Sequence, residues 1–205
     1  MITERRPTSP PAGAPLVGAA CLLAAMVWLT PAFAFESPTS VDQISASFVH
    51  HVLSMANTVF HEAGHWILAP FGRFLSVLGG SLFQVAIPLV AAVALWRSSS
   101  LAGPPFAIWW AGQSTTSVAR YIADARGGRL VLLGGGTGRD APGTHDWRNL
   151  LEWTGLLEWD VTLGWAAHIV GTAAMGLGLA WLAWLCWQGL LARLAQNTRS
   201  ARRAG

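Results

Sequence analysis

One five-residue stretch of the chain combines metal ligands with a general base. Residues 61–65 read His-Glu-Ala-Gly-His, an H-E-x-x-H motif within an apolar run of helical character. Two histidines four residues apart lie on the same face of a helix, so both imidazoles can reach one zinc ion. Zinc lowers the pKa of a bound water to about 7, and Glu62 is placed to take a proton from that water. The motif therefore predicts a hydrolytic zinc site with His61 and His65 as ligands and Glu62 as the general base.

A catalytic zinc site needs a third protein ligand, and a later loop offers two neighbouring candidates. His145 is our first choice, because imidazole suits zinc and a flanking glycine lets the loop fold back over the motif helix. Asp146 is the alternative, since two histidines and one carboxylate also make a catalytic site. Asp146 could instead cap a helix that begins at Trp147. Asp124 is the third candidate.

Three polar side chains lie within otherwise apolar segments, where such groups are costly and often functional. They are Asn57, which lies one helical turn before His61, and the glutamines Gln84 and Gln113. We expect these three residues to line the site, with Gln84 the best placed to donate a hydrogen bond to a reacting oxygen. Hydrogen bonding between the helices of a bundle is the more ordinary use of such residues.

Composition places the chain in a membrane. Only 11% of its 205 residues are charged and 53% are hydrophobic, whereas a soluble domain has about 25% charged residues. The chain has no lysine, and its arginines lie in loops and tails. A net charge of +3 with this distribution orients a protein in a bilayer rather than binding nucleic acid. We therefore expect the lipid bilayer as a partner and no nucleic acid.

The hydrophobic runs predict an all-α, polytopic membrane helix bundle of four to five membrane segments. The candidate segments are residues 14–35, 41–70, 74–96, 101–121 and 161–192. The last run is too short for two crossings of ~20 residues each and is expected to form one long helix. Four crossings result if either the motif segment or the segment 101–121 is re-entrant.

The first 35 residues form a separate unit in this interpretation. Arginines precede an apolar core, and Ala32-Phe33-Ala34 has the small-x-small form of a cleavage site. Residues 1–35 are therefore a signal peptide or a membrane anchor, and the length of the apolar run slightly favours a retained anchor. Residues 36–205 form the membrane-embedded, metalloprotease-like domain.

A polar, glycine-rich loop at residues 122–160 carries the candidates for the third ligand, and a short helix is expected at residues 147–158. If the segments 74–96 and 101–121 both cross the membrane, the chain crosses once in each direction between the motif and this loop. The end of the motif helix and the loop after Tyr121 then lie on the same side of the membrane. A zinc site shared between them requires this arrangement.

The motif and three later stretches resemble the site-2 protease family of intramembrane zinc metalloproteases, in a divergent bacterial branch. The stretches are Gly79-Gly80-Ser81-Leu82-Phe83-Gln84, Tyr121-Ile122-Ala123-Asp124-Ala125 and His145-Asp146-Trp147, within residues 60–151. The resemblance implies zinc held by His61 and His65, Glu62 as base, and a multi-pass protein of the bacterial inner membrane. In that family the third ligand is an aspartate in a Leu-Asp-Gly motif, which this chain lacks.

Two functional hypotheses follow. The first is a zinc metallopeptidase that hydrolyses peptide bonds of a membrane-protein or peptide substrate in or near the bilayer. The second is a non-catalytic membrane protein that keeps a metal for structure or for binding a partner. An open fourth position on the zinc favours the first hypothesis, and a closed four-ligand site favours the second.

Overall fold

The computed structural model describes residues 14–40, 48–132 and 136–204, and the described chain is built of α-helices. They are α1 (Ala14–Ala34), α2 (Phe48–Leu68), α3 (Arg73–Arg97), α4 (Gly103–Ala123), α5 (Asp146–Thr154) and α6 (Asp160–Ala204). Single 3-10 turns lie at Ala69–Phe71, Pro142–Thr144 and Leu157–Trp159. Within the described ranges there is no β-strand, and one isolated antiparallel bridge joins Val131 to Thr137. The predicted all-α class is confirmed, as is the single long helix at the end of the chain.

Three of the described helices, α1, α3 and α6, are long and apolar enough to cross a membrane. The predicted number of four to five membrane segments is therefore too high by this measure. The segments 41–70 and 101–121 do form helices, α2 and α4, although residues 41–47 lie outside the described ranges. Both helices carry many polar side chains, which lower their hydropathy although their apolar residues are numerous.

Helix α4 lies at the centre of the bundle, which explains its polar sequence. It packs along α6 and also contacts α3 and α1. Gln113, Ser114 and Thr116 are buried within it. Polar groups in a membrane helix are tolerated when they face the bundle interior and find partners there. The neighbouring helices thus enclose the buried polar groups of α4.

Glycines allow α6 to lie directly against α4. Gly164, Gly171 and Gly178 recur every seven residues, so they lie on one face of α6. A Cβ atom added at Gly171 would lie 2.7 Å from the carbonyl oxygen of Gly112, and one at Gly178 would lie 2.6 Å from that of Pro105. The two backbones are in contact, as is usual where small residues line a membrane helix interface.

Helix α1 shares a hydrophobic core with α4 and α6. The buried members of this core are Ala19, Met26, Leu29, Phe33, Trp109, Met175 and Leu182. Trp109 Nε1 also donates a hydrogen bond of 2.8 Å to Thr30 Oγ1. At the end of α1, the carbonyl oxygen of Ala34 lies 3.0 Å from His168 Nε2. The described part of the predicted N-terminal unit is therefore packed into the bundle, whereas residues 1–13 lie outside the described ranges.

Candidate metal centre

The motif helix α2 lies against α3 at a pair of glycines. A Cβ atom at Gly64 would overlap the backbone carbonyl of Gly79, and a Cβ atom at Gly79 would overlap that of Gly64. Because neither residue has a side chain, the two helices approach closely at this level. The close approach places the His61 and His65 side chains directly beside α3.

The structure brings His61, His65 and Asp146 together. His61 Nε2 lies 3.0 Å from Asp146 Oδ2, and His65 Nε2 lies 3.3 Å from the same oxygen. One potential ligand atom from each residue lies within 4.8 Å of the other two. The side chains keep 13%, 22% and 15% of their surface accessible, respectively, so the group can be reached from outside.

Hydrogen bonds on the opposite side of each imidazole fix its orientation. His65 Nδ1 lies 2.8 Å from the carbonyl oxygen of Ser76, and Ser76 Oγ donates to the carbonyl oxygen of His65 at 3.0 Å. His61 Nδ1 lies 3.1 Å from Gln84 Oε1, while Gln84 Nε2 donates to the Ser114 carbonyl oxygen at 3.4 Å. Carbonyl oxygens can only accept, so both Nδ1 atoms carry the hydrogen. When a ring is neutral, its Nε2 atom therefore presents a lone pair.

This arrangement suits a metal cation. Two imidazole lone pairs and one carboxylate oxygen converge on a small volume, and they repel one another unless a cation or protons lie between them. Two histidines and a carboxylate form a ligand set that zinc accepts, and ligating histidines usually donate their other N–H to an acceptor. Among the described residues, this is the only group of three or more His, Cys, Asp or Glu side chains with that spacing.

Helix α3 contributes a stripe of small and polar residues to the group. Ser76, Gly80 and Gln84 are spaced four residues apart, so they lie on one face of α3. A Cβ atom added at Gly80 would lie 2.6 Å from both His61 Nε2 and His65 Nε2. Ser76 and Gln84 accept from the two rings, and Gly80 leaves free space between them. Gln84 was expected near the site from the sequence, whereas Ser76 was missed, although this spacing within an apolar helix was a usable signal.

Helix α5 carries Asp146 to the two histidines and is attached on both sides. The backbone N–H of Asp146 donates to the Tyr121 hydroxyl of α4 at 3.1 Å. Trp147 Nε1 donates to Ser81 Oγ of α3 at 2.9 Å. Further along α5, the guanidinium of Arg73 lies 4.9 Å from the centre of the Trp153 ring. The polar segment after α4 is therefore folded back onto the beginning of α3, on the side where α2 ends.

His145, our first choice for the third ligand, lies outside this group. It is the N-cap of α5, and its Nδ1 accepts a hydrogen bond of 3.2 Å from the Arg148 backbone N–H. Its side chain is 0% exposed, and its Nε2 lies 3.8 Å from Asp124 Oδ2. His145 lies outside the group because α5 begins at Asp146, one residue before the predicted start. Asp146 is consequently the first helical residue instead of the cap, and its carboxylate reaches the motif histidines.

Asp124, the third candidate, also lies elsewhere. It follows the last residue of α4 and is buried, with 3% of its surface exposed. Its Oδ2 accepts hydrogen bonds of 2.8 Å from the backbone N–H groups of Arg129 and Leu130. Burial alone would raise the pKa of this carboxyl, but the His145 imidazole and those two N–H groups lower it below its ordinary value of 3.8. Asp124 is therefore an ionised carboxylate that fixes the backbone of the loop at Arg129 and Leu130.

Asn57 and Gln113 form a separate polar network between α2 and α4. Asn57 Nδ2 donates to Gln113 Oε1 at 2.9 Å. Trp110 Nε1 and Ser114 Oγ donate to Asn57 Oδ1 at 2.9 and 3.1 Å. This network lies about one turn from His61 and fixes α2 against α4. Of the three residues expected to line the site, Gln84 alone has a side-chain hydrogen bond to one of the histidines, which its acceptor oxygen makes to the His61 Nδ1 atom.

Comparisons with family models, characterised proteins and solved structures found no match. The resemblance to the site-2 protease family rests on the H-E-x-x-H motif and the three stretches within residues 60–151. Glu62, the predicted base, is partly buried and directly follows His61 in α2. Its carboxylate is not one of the three converging ligand atoms.

Proposed function

We propose that this protein is a membrane-embedded zinc metallopeptidase that hydrolyses peptide bonds in or near the bilayer. The observation that supports it most is the convergence of His61 Nε2, His65 Nε2 and Asp146 Oδ2, within a motif in which Glu62 directly follows His61. The two histidines and Asp146 would hold the ion. This ligand set replaces the set with His145 that the sequence favoured, and it matches the histidine–histidine–carboxylate type of catalytic zinc site.

The chain itself supplies proton transfer and orientation. A bound zinc would provide positive charge to polarise a carbonyl and to lower the pKa of a water. Glu62 would accept a proton and deliver it to the leaving nitrogen. Ser76 and Gln84 hold the rings of His65 and His61 in a fixed tautomer.

The size of the ligand set favours catalysis over a purely structural metal site. Closed structural zinc sites have four protein ligands, whereas catalytic sites have three and keep a position open. Among the described His, Cys, Asp and Glu residues, the group contains three. A non-catalytic protein with a structural or partner-binding metal remains the alternative that experiment must separate from this proposal.

We further propose a multi-pass protein of the bacterial inner membrane, with α2 and α4 lying in the bilayer beside α1, α3 and α6. The buried polar face of α4 and its contacts with α1, α3 and α6 support this arrangement. His65 is three residues from the end of α2, so the centre would lie close to one membrane surface. The substrate would be a membrane protein or a peptide that reaches this level.

Metal analysis of the detergent-purified protein tests the zinc site. Wild type and Glu62→Gln should each contain about one zinc per chain, because Glu62 is not a ligand. His65→Ala and Asp146→Ala should lose stable zinc, because each removes one of three ligands. Equal zinc in wild type and in both ligand variants would overturn the proposed site.

Mapping of new protein N-termini tests the reaction even while the substrate is unidentified. Cells that express wild type should contain membrane-protein N-termini that are absent from cells expressing Glu62→Gln at the same level. If both variants bind zinc and produce identical N-termini, peptidase activity is rejected in favour of the non-catalytic alternative.

A further inference from the structure

The backbone of Asp146 is held by a residue that the proposed chemistry does not use. Tyr121 is the only tyrosine in the chain and lies near the end of α4. Its hydroxyl oxygen accepts the Asp146 N–H at 3.1 Å. The first N–H groups of a helix have no partner within the helix, so this bond fixes the beginning of α5 to α4. It therefore controls the direction from which the Asp146 carboxylate approaches the histidines.

The ring of Tyr121 is in turn fixed by His145. The two ring centres are 4.3 Å apart with an angle of 37° between the planes. His145 cannot move away, because its side chain is 0% exposed and a Cβ atom at Gly138 would lie 2.8 Å from its Cδ2. Its Nε2 faces Asp124 Oδ2 at 3.8 Å, and its Nδ1 accepts from the Arg148 N–H.

Capping alone does not explain an imidazole at position 145. Asparagine, aspartate, serine and threonine are the preferred N-cap residues, and any of them could accept the Arg148 N–H. These side chains are too short to provide the ring contact with Tyr121. The buried imidazole therefore has a second role, which is to support the Tyr121 ring.

We propose that Tyr121, supported by His145, is a positioning residue for the Asp146 ligand. This inference rests on the proposed function, because it assigns Asp146 to the metal. Trp147 and Ser81 attach α5 to α3, and Tyr121 supplies the corresponding attachment to α4. Metal–ligand distances tolerate displacements of only ~0.2 Å, so a carboxylate released on one side would bind the ion less tightly.

The test compares zinc affinity with thermal stability in the full-length protein in detergent. Tyr121→Phe keeps the ring against His145 and removes only the hydroxyl. Loss of a residue that orients a ligand typically weakens metal binding by roughly 10–100-fold, and we expect a change of that size. Thr30→Val is the matched control. It removes the hydroxyl in α1 that accepts a hydrogen bond from the Trp109 indole, and it should leave zinc affinity unchanged.

Cobalt(II) serves as a spectroscopic probe of the same effect. Its visible absorption depends on ligand geometry, so Tyr121→Phe should change the cobalt spectrum and Thr30→Val should not. His145→Asn keeps an N-cap acceptor but removes the imidazole, and it should weaken zinc binding to a similar extent. Tyr121→Phe removes the hydrogen bond to the Asp146 N–H, and His145→Asn removes the ring that holds this bond in place. Because both changes act through that one hydrogen bond, the double variant should bind zinc about as well as either single variant.

The possible results separate this inference from the proposed function. If wild type binds zinc and Tyr121→Phe binds it equally well, the positioning role is overturned and the proposed zinc site stands. A fall in thermal stability without a change in zinc affinity or in the cobalt spectrum also overturns the inference. If Tyr121→Phe does not fold, unchanged zinc affinity in His145→Asn overturns it instead. If wild type binds no zinc, the proposed function fails, and the inference fails with it.

Discussion

Gly80 is the residue on which the free space between the two imidazoles depends. A Cβ atom at this position would lie 2.6 Å from both Nε2 atoms, which is closer than atoms can pack without a shift. The rings cannot easily move away, because Ser76 and Gln84 hold their Nδ1 atoms. The smallest possible side chain at position 80 would therefore displace the ligands themselves.

We predict that Gly80→Ala greatly reduces bound zinc while the protein remains helical. The matched control is Gly176→Ala in α6, where an added Cβ atom would have no neighbour within 4 Å. Replacing a helical glycine with alanine where space permits stabilises the fold by about 0.5–1 kcal/mol, so the control should keep its zinc and melt no earlier than wild type. Zinc content and thermal unfolding of the two variants decide the matter. Full zinc occupancy in Gly80→Ala would show that the space has no role.

The pair His145 and Asp146 shows how far sequence can define such a centre. The motif alone was sufficient to predict His61, His65 and Glu62 as the candidate ligands and base. The identity of the third ligand depended on whether α5 begins at residue 146 or at residue 147. Helix ends are commonly uncertain by one or two residues, yet a shift of one residue exchanges the cap with the first helical position. Local sequence could not resolve that choice, because Tyr121 and Trp147 fix the start of α5 through contacts with distant helices.

At the scale of the helices, the apolar runs correctly predicted where helices form. They were less successful in predicting which helices meet the criteria for a membrane span. α1, α3 and α6 each contain a long apolar stretch, whereas polar residues are spread through α2 and α4. The polar residues of α4 are compatible with its position because Asn57 pairs with Gln113 and Ser114 across the helix interface. Such pairing depends on which helices become neighbours, and a single sequence does not show this.

The connection between α4 and α5 is organised by one buried carboxylate. Asp124 Oδ2 accepts both the Arg129 and the Leu130 N–H, and the His145 imidazole faces it. These contacts lower the pKa of Asp124 below 3.8 although burial acts to raise it. The folded state thus binds a proton more weakly than the unfolded state does. The resulting stabilisation is present above the unfolded pKa and is lost as the pH falls through the folded pKa.

We predict that the protein loses thermal stability as the pH is lowered below about 4, the range in which unfolded aspartate is protonated. Asp124→Asn is the appropriate comparison, since an amide oxygen can still accept the two N–H groups but carries no charge to titrate. The variant should be less stable than wild type at neutral pH, and the difference should shrink as the pH falls. Thermal unfolding in detergent from about pH 3 to about pH 7 measures both curves. Parallel curves for the two proteins would contradict the role of the Asp124 charge.

For the molecule as a whole, the packing of α1 bears on the two interpretations of the N-terminal segment. A signal peptide that is removed after export needs no specific contacts with the mature protein. α1 instead contributes Met26, Leu29 and Phe33 to a core shared with Trp109, and Thr30 accepts the Trp109 indole N–H. The chain that follows α1 is also attached to α4, because Arg120 donates to the Ser40 carbonyl oxygen at 3.1 Å. These contacts favour a retained membrane helix.

Two phenylalanines near the end of α1 allow a controlled test of its retention. Phe33 is 6% exposed and packs edge-on against Trp109 with 6.3 Å between ring centres, whereas Phe35 is 86% exposed. If α1 stays in the protein, Phe33→Ala should lower the melting temperature and Phe35→Ala should leave it nearly unchanged. Truncating a buried phenylalanine in a soluble core costs about 3–5 kcal/mol, and we expect a substantial part of that loss here.

Position 33 is the variable middle residue of Ala32-Phe33-Ala34, so neither substitution alters the small residues that a signal peptidase would read. Intact mass and thermal unfolding of the protein purified from membranes provide the measurements. An N-terminus at Phe35 would show that α1 is removed, and equal melting temperatures for the two variants would show that its packing against Trp109 does not stabilise the bundle.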